Sequence, residues 1–268
     1  MGNFPYGTFT VKNGTLKDLD TAASGKLILE NIHYKDTLIS AQFELTVQGE
    51  NTRFEQPVAF HGTTHLMGGH FEQGLDSNCV GRALELLEDG FAFRNDRGIV
   101  DASNPENLMG KIQVVAHTCK YVSGKCACGR SCDHSTVSDE TGLCQKCGSQ
   151  VYEANVTTAD GTVTGYRTLE EALSHGANAT VKLLADCVVE ETEEAFSVTV
   201  PLPLDLNGKR MEGRSGLIVQ KGPTTIQDSS PAQTGTIAGT SDWEYSGVGL
   251  WVFKDANVTL TILGGHFE

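Results

Sequence analysis

The sequence predicts a mainly β protein whose short strands stack on one another, with two short helices and a small Cys/His segment in the middle. Three observations support this fold class. Thirty glycines among 268 residues, with only 20% charged residues, are typical of a globular chain with many turns. Apolar and polar residues alternate along many segments, as they do in half-buried strands. Gly, Asn and Asp interrupt these segments at intervals of about eight to twelve residues.

The first 75 residues contain strand-like segments separated by turns, among them GTFTVKNGTL, GKLILENIHY and PVAFHGTTHLMGGHFE. The period changes in residues 77–90, where Val80, Leu84 and Leu87 fall on one helical face. Gly90 stands where a helix would stop, so we expect one short helix there. The strand-like segments GFAFRNDRGIVD and GKIQVVAH follow.

Residues 117–148, HTCKYVSGKCACGRSCDHSTVSDETGLCQKCG, contain six cysteines and two histidines. Their spacing divides them into two successive groups of one histidine and three cysteines, and each group ends in a close cysteine pair followed by glycine. Tetrahedral Zn²⁺ takes four N or S ligands, and the glycine lets backbone N–H groups turn toward the thiolates. The spacing predicts two structural zinc ions with no ligand position left open for catalysis. The predicted ligands are His117, Cys119, Cys126 and Cys128 in the first group, and Cys132, His134, Cys144 and Cys147 in the second.

Two other uses of these cysteines stay open. Three disulfides would suit a surface protein that folds in an oxidising compartment. They would leave the two matched histidines unexplained, and a bond within the close pair of the first group would strain the disulfide geometry. Redox chemistry at the C-x-x-C pair would be expected in a βαβ context, which the sequence lacks. The two remaining cysteines, Cys79 and Cys187, are expected to be buried singly as small apolar residues.

A second helix is expected in the segment YRTLEEALSHG. Thr168 is placed to cap its first turn, and Glu171 follows three residues later, as in a capping box. Its apolar side consists of Leu169, Ala172 and Leu173. Strand-like segments then resume, among them ATVKLLADCVV and GLIVQKGPTTIQDSS. The predicted domains are a β segment with a short helix (1–92), linker strands (93–115), the Cys/His module (116–150), and a capping helix with the start of a second β segment (151–268).

The pentapeptide GGHFE occurs at 68–72 and again at 264–268, each time after an apolar strand end, which favours a duplicated unit. The segments TLEEALS, ATVKLLADCVV, LDLNGKRMEG, GLIVQKG, TTIQDSS, GTIAG and VTLTILGGHF resemble the right-handed parallel β-helix (pectin-lyase-like) modules of large surface proteins of Gram-positive bacteria. The segment ALELLEDGFAFRNDRG and the Cys/His block resemble the linkers between such modules. The resemblance implies coils of about 20 residues, each of which needs a stacked neighbour to bury its inward face.

The net charge of −14, from 34 acidic and 20 basic residues, argues against nucleic acid and anionic membrane surfaces as partners. No run of about 18 apolar residues occurs, so membrane insertion is not expected. The first residues lack the basic and apolar regions of an export signal. Because both ends of the sequence fall in strand-like patterns, we expect a piece of a longer protein, and the lack of a signal then says little about where that protein is located.

The turn aspartates are the residues on which an enzyme hypothesis would depend. Polysaccharide-acting enzymes occur among β-helices, and a hydrolase would need two carboxylates about 5 to 9.5 Å apart. Asp205, Asp228, Asp242 and Asp255 all occupy turns, where an aspartate usually accepts hydrogen bonds from nearby backbone N–H groups. No paired-Asp signature accompanies them, so no catalytic residue is predicted.

Binding residues are predicted among the aromatics near the end of the chain. The segment SDWEYSGVGLWVF contains Trp243, Tyr245 and Trp251. Such aromatics are enriched where proteins or sugars are bound, and inserted loops of repeat proteins commonly carry binding sites. An alternative is that Trp251, flanked by Leu250 and Val252, is part of ordinary strand packing.

The sequence therefore predicts a non-catalytic binding segment of an extracellular protein, located on a bacterial surface or secreted, that recognises a host macromolecule. The ligand would be a glycan or a secreted protein, and the resemblance makes immunoglobulin the sharpest hypothesis. Alternatives are a carbohydrate-active enzyme, either a polysaccharide lyase or a glycoside hydrolase, and a structural spacer.

Overall fold

The computed structural model describes residues 7–17, 19–21, 25–41, 44–189, 195–240, 247–253 and 258–268. The chain divides into two compact units, Met1–Asp133 and His134–Glu268. Each unit has a hydrophobic core of its own. The described residues are mainly β-strands that stack as the coils of a β-solenoid, which confirms the predicted fold class.

Unit 1 begins with three parallel sheets. Its first strands are β1 (Thr8–Lys12), β2 (Thr15–Leu16), β3 (Leu19–Thr21), β4 (Lys26–Glu30), β5 (His33–Tyr34), β6 (Leu38–Ala41), β7 (Glu44–Gln48), β8 (Arg53–Phe54), β9 (Ala59–His61), β10 (Thr64–Leu66) and β11 (His70–Phe71). The sheets contain β1-β4-β7-β10, β2-β5-β8-β11 and β3-β6-β9. Every third strand along the chain is thus a neighbour within a sheet, which is the connectivity of stacked coils. The cross-coil partners Lys26 and Glu44 are 18 residues apart, close to the expected coil length.

One corner of these coils is formed by residues with left-handed backbone. Asn13 (φ 56°), Asn31 (φ 51°) and Gly49 (φ 89°) follow β1, β4 and β7 at corresponding places. Asn and Gly adopt this conformation at lower cost than other residues. The turn residues seen in the sequence therefore mark where each coil changes direction.

The core of unit 1 consists of side chains from alternate strand positions. In β4, for example, Leu27 and Leu29 are buried and their neighbours are not. Three aromatic side chains continue this core from coil to coil. The ring of Phe54 lies 6.0 Å from that of Tyr34 and stacks on that of Phe71 at 4.7 Å. Such contacts supply the neighbour that a single coil lacks.

Antiparallel strands extend the sheet that contains β11. They are β12 (Phe91–Asn95), β13 (Gly98–Ile99) and β14 (Ile112–Ala116), in the order β13-β12-β14-β11. Phe93 of β12 packs edge-on against Phe71 at 6.4 Å. A 3-10 helix, Pro105–Leu108, lies in the connection between β13 and β14. The extension covers the edge of β11, which would otherwise expose unpaired backbone groups.

The single helix predicted in residues 77–90 is wrong. The segment forms two short helices, α1 (Ser77–Val80) and α2 (Ala83–Leu86), which gives three α-helices in the described residues where two were expected. Arg82 lies between them with non-helical backbone (φ −123°, ψ 23°), and its guanidinium donates a hydrogen bond to the carbonyl of Phe60. Contact with the solenoid thus overrides the local helical period.

Unit 2 is a second solenoid. Its elements are β17 (Ala154–Thr157), β18 (Val163–Tyr166), α3 (Leu169–His175), β19 (Thr180–Leu183), β20 (Cys187–Val188), β21 (Phe196–Val198), β22 (Pro203–Asp205), β23 (Arg210–Gly213), β24 (Leu217–Val219), β25 (Thr224–Gln227), β26 (Thr236–Gly239), β27 (Leu250–Val252), β28 (Leu260–Ile262) and β29 (His266–Phe267). The parallel strands are arranged as β19-β22-β25-β28, β20-β23-β26-β29 and β21-β24-β27. The hairpin β17–β18 pairs antiparallel with β19 at the first coil.

Helix α3 lies in the predicted segment and has Thr168 as its N-cap, as predicted. The Thr168 hydroxyl accepts a hydrogen bond from the Glu171 backbone N–H at 3.3 Å. Leu169, Ala172 and Leu173 are buried, as predicted.

The two GGHFE copies have the same local structure. Each places its second glycine in the left-handed region, Gly69 at φ 115° and Gly265 at φ 102°, and each continues into a two-residue strand, β11 or β29. Their aromatic residues differ in environment, because Phe71 is fully buried and Phe267 is exposed. The repeated sequence therefore marks a repeated corner of the two solenoids.

Candidate metal centres

The first Cys/His cluster consists of His117, Cys119, Cys126 and Cys128, and its ligand-type atoms all lie within 4.8 Å of one another. Nε2 of His117 is 3.1 Å from Sγ of Cys126, and Sγ of Cys119 is 3.5 Å from Sγ of Cys128. Around a tetrahedral zinc ion the ligand atoms are separated by about 3.5 to 3.8 Å. The arrangement is therefore close to that of a four-ligand metal centre.

A tight turn brings the close cysteine pair into place. The hairpin of β15 (Tyr121–Val122) and β16 (Lys125–Cys126) ends at Cys126. Gly129, at φ 93°, then turns the chain and donates its N–H to the carbonyl of Cys126. The backbone N–H of Cys128 donates to the thiol of Cys126, and that of Arg130 donates to the thiol of Cys128. The predicted role of the glycine is thus realised, because both sulfur atoms accept backbone hydrogen bonds.

The environment favours negative charge on one sulfur atom of this cluster. Burial tends to raise the pKa of Cys126, but hydrogen bonds from the Cys119 thiol, the Cys128 backbone and His117 lower it to about 6. Burial and the neighbouring thiols raise the pKa of Cys119 to about 12. A bound metal ion would also favour the thiolate form of the other cysteines of this cluster, because metal binding displaces thiol protons.

The first cluster is fastened to unit 1. Arg130 forms an ion pair with Asp89 at 3.1 Å and donates hydrogen bonds to the carbonyls of Leu87 and Glu88. Cys126 and Cys128 are buried against Ala92 of β12. Sequence analysis did not single out Arg130. Its position between the two groups of predicted ligands was the one indication of its role.

The second cluster consists of Cys132, His134, Cys144 and Cys147, again within 4.8 Å of one another. Nδ1 of His134 is 3.5 Å from Sγ of Cys147. Gly148, at φ 72°, follows the close pair and donates its N–H to the carbonyl of Cys144 at 2.8 Å. The same device, a cysteine pair closed by a left-handed glycine, thus occurs in both clusters.

The loop between His134 and Cys144 is fixed to the hairpin β17–β18. The side-chain amide of Asn155 donates to the backbone carbonyl of Asp139 at 2.9 Å. The carboxylate of Asp139 accepts from the backbone N–H of Gly165 at 2.8 Å. These contacts order a loop that has little apolar surface of its own to bury.

The structure brings all eight predicted ligands together, in the two groups that the spacing indicates. The described residues contain no disulfide, which gives no support to the three-disulfide alternative. Cys79 and Cys187 are each 1% exposed, as expected for cysteines that behave as small apolar residues. The donor sets fit structural metal ions.

The predicted aromatic residues are described only in part. Trp243 and Tyr245 lie outside the described residues. Trp251 lies in β27, where its side chain is 49% exposed, and the following Phe253 is 51% exposed. Trp251 is therefore at least partly available for contact and is not packed in the core.

Two of the four turn aspartates have structural partners. Asp205 accepts hydrogen bonds from the backbone N–H groups of Asn207 and Ser229. Asp228 accepts from those of Gly208, Ser230 and Gly235. Both side chains belong to buried residues and serve the turns, as the sequence interpretation expected. The other two, Asp242 and Asp255, lie outside the described residues.

Fold and centres together define a β-solenoid protein with two Cys₃His clusters that fit structural metal. Comparison of the chain with protein-family models, curated proteins and solved structures found no match in any of the three. None of the helices in the described residues has the length and hydropathy needed to cross a membrane.

Proposed function

We propose that each Cys₃His cluster holds one zinc ion. Three thiolates and one imidazole form a donor set that suits zinc, and four protein ligands complete its tetrahedral shell. The ions would hold together a segment of about 30 residues that is too short to form a core of its own. Elemental analysis should find two zinc ions per chain, one in a Cys126→Ser/Cys128→Ser variant, and one in a Cys144→Ser/Cys147→Ser variant. Metal-free protein would contradict the proposal.

We further propose that the chain is a non-catalytic binding segment of a bacterial surface or secreted protein. The observation that carries the proposal is the exposure of Trp251 and Phe253, here called the aromatic surface. Trp251 and Phe253 are two residues apart on extended backbone and project to the same side. Exposed aromatic side chains of this kind are common in binding sites, where they contribute much of the affinity.

The resemblance to Gram-positive β-helix modules provides the basis for an extracellular location and for a host ligand. Glycans and secreted proteins are the two classes to test, with immunoglobulin first among the proteins. The backbone bonding of Asp205 and Asp228 gives no support to the alternative of a carbohydrate-active enzyme, because both carboxylates are already used within the turns.

The test is capture of ligands from serum and mucus by the immobilised chain and by a Trp251→Ala/Phe253→Ala variant. Val188→Ala is a matched control, because it removes a 70% exposed apolar side chain of the same unit. A ligand enriched by the chain and by the control, and at least about tenfold less by the double variant, would support the proposal. No enriched component, or product release from plant or mucosal polysaccharides, would overturn it.

A further inference from the structure

A polar hollow of about 720 Å³ lies at the antiparallel end of unit 1. Its walls come from β12, from the turn after it, from the 3-10 helix and from β14. The volume is within the range of small-molecule sites, which is about 300 to 1,000 Å³. None of its lining residues belongs to either Cys/His cluster or to the aromatic surface.

One wall of the hollow is a row of three side chains across adjacent strands. His70 of β11 is paired with Gln113 of β14, and Gln113 is paired with Arg94 of β12. Directly paired residues project from the same face of a sheet. An imidazole, an amide and a guanidinium therefore lie side by side along this wall.

The hollow contains two guanidinium groups that form no ion pair with the described residues, although the carboxylates of Asp96 and Glu106 also line it. Arg94 and Arg97 are both exposed, and neither guanidinium makes a hydrogen bond or an ion pair with the described residues. Lys111, which also lines the hollow, is paired with Glu72 at 3.0 Å. Arg94 and Arg97 are three positions apart in the chain, and both line the hollow. A guanidinium of this kind can form two parallel hydrogen bonds with a carboxylate or a sulfate.

Other side chains of the hollow provide both donors and acceptors. Asn107 uses its amide N–H to bind the backbone carbonyl of Asp101 at 3.0 Å, which leaves its oxygen as an acceptor. Glu106 adds a carboxylate, and the Gln113 amide adds both functions. Such a mixture suits hydroxyl groups, which donate and accept, better than it suits a simple inorganic anion.

We propose that this hollow binds an acidic saccharide, with Arg94 and Arg97 on its anionic group and the neutral amides on its hydroxyls. A second hollow of about 480 Å³ shares His70 and Gln113 as lining residues and continues to Met67 and Phe91. The apolar side chains there offer a surface for the less polar face of a further sugar ring. The ligand is thus a chain of at least two sugars, bound at a site that does not depend on the proposed role of the aromatic surface.

Isothermal titration and NMR shift mapping on the full chain test the proposal with three matched oligosaccharides: uronate-containing, sulfated and neutral. Binding of the uronate or sulfated form, with the largest amide shifts at Arg94, Asn107 and Gln113, is expected. Comparison of the uronate-containing and the sulfated oligosaccharide shows whether the hollow binds a carboxylate or a sulfate. Arg94→Gln/Arg97→Gln should weaken binding by about tenfold or more, because it removes the charge-assisted hydrogen bonds to the anionic group of the saccharide.

Arg214→Gln serves as the control, because it removes an exposed arginine of unit 2. Arg94→Lys keeps the charge but not the two parallel hydrogen bonds, so its affinity should fall between those of the wild type and the double variant. Equal binding of the neutral oligosaccharide, an unchanged affinity in the double variant, or shifts confined to other surfaces would overturn the proposal. Binding of acidic peptides in place of every saccharide would also overturn it.

Discussion

Individual residues set the geometry of the cysteine turns. Gly129 and Gly148 both occupy the left-handed region after a close cysteine pair, but their surroundings differ. A Cβ atom at Gly129 would collide with the carboxylate of Asp101, which holds the backbone N–H of Ser103. A Cβ atom at Gly148 would meet nothing within 4 Å. The first turn therefore needs glycine for two reasons and the second turn for one.

Gly129→Ala should accordingly cost more than Gly148→Ala. The left-handed conformation costs alanine about 1 to 2 kcal/mol at either position, and the collision adds to this at Gly129. Thermal unfolding and competition with a chelator for zinc would measure the two effects, with Gly148→Ala as the matched control. Equal losses of stability and of zinc affinity would contradict the expectation.

Asp228 offers a second test at the residue scale. Burial tends to raise the pKa of its carboxyl, but backbone N–H groups of Gly235, Ser230 and Gly208 lower it below the usual range of an aspartate. Asp228→Asn would turn an amide donor toward these N–H groups, so a loss of about 2 to 3 kcal/mol is expected at neutral pH. Asp160→Asn, in an exposed turn with similar hydrogen bonds, should cost less.

The effect of Asp228→Asn should depend on pH in a known direction. Because the folded pKa lies below the unfolded value, the carboxylate contributes its full stability above about pH 4 and loses it as the pH falls through the folded pKa. Urea unfolding at a series of pH values should therefore show the wild type and the variant converging as the pH falls through the lowered folded pKa. A constant difference down to pH 2 would contradict this.

At the scale of elements, local signals predicted helix α3 but not α1 and α2. Thr168 and Glu153 each accept a hydrogen bond from a backbone N–H of the first turn of α3, those of Glu171 and Leu169. The cap and the apolar face thus agree with the tertiary position of α3. In residues 77–90 the helical period was present too, but Leu84 is only partly buried and Leu86 is buried in its place.

Thr168→Ala should destabilise unit 2 by about 1 kcal/mol, because the N–H of Glu171 loses its acceptor. Ser174→Ala in the last turn of α3 is the matched control, since its hydroxyl donates to the Glu171 carbonyl within the helix. Its expected effect is within about 0.5 kcal/mol. Denaturant unfolding measures both variants, and an equal loss in the two would show that the cap does not contribute.

At the scale of the whole molecule, the two solenoid cores and the Cys/His segment depend on different forces. The cores are held by buried apolar side chains of successive coils. The Cys/His segment has few such side chains apart from those packed around Cys126 and Cys128. Its order should therefore depend on the bound metal to a degree that the solenoids do not share.

Removal of metal with a strong chelator should make residues 117–150 sensitive to proteases and leave the β signal of circular dichroism nearly unchanged. Mass spectrometry of the fragments locates the cleavage sites, and restored zinc should restore protection. Early cleavage within the strands of either solenoid, or resistance of residues 117–150 after complete metal removal, would contradict this division.

The sequence by itself determined the strand character, the turn positions, the capped helix α3 and the grouping of the eight metal-ligand candidates. These features depend on residues close together in the chain, such as a cysteine pair and the glycine after it. Only the tertiary structure decided that residues 77–90 break into two helices, that Arg130 fastens the first cluster, and that Arg94 joins His70 and Gln113 in one row. Those features depend on contacts between residues 19 to 43 positions apart, such as Arg130 with Leu87. A periodic pattern within a short segment of sequence does not reveal such contacts.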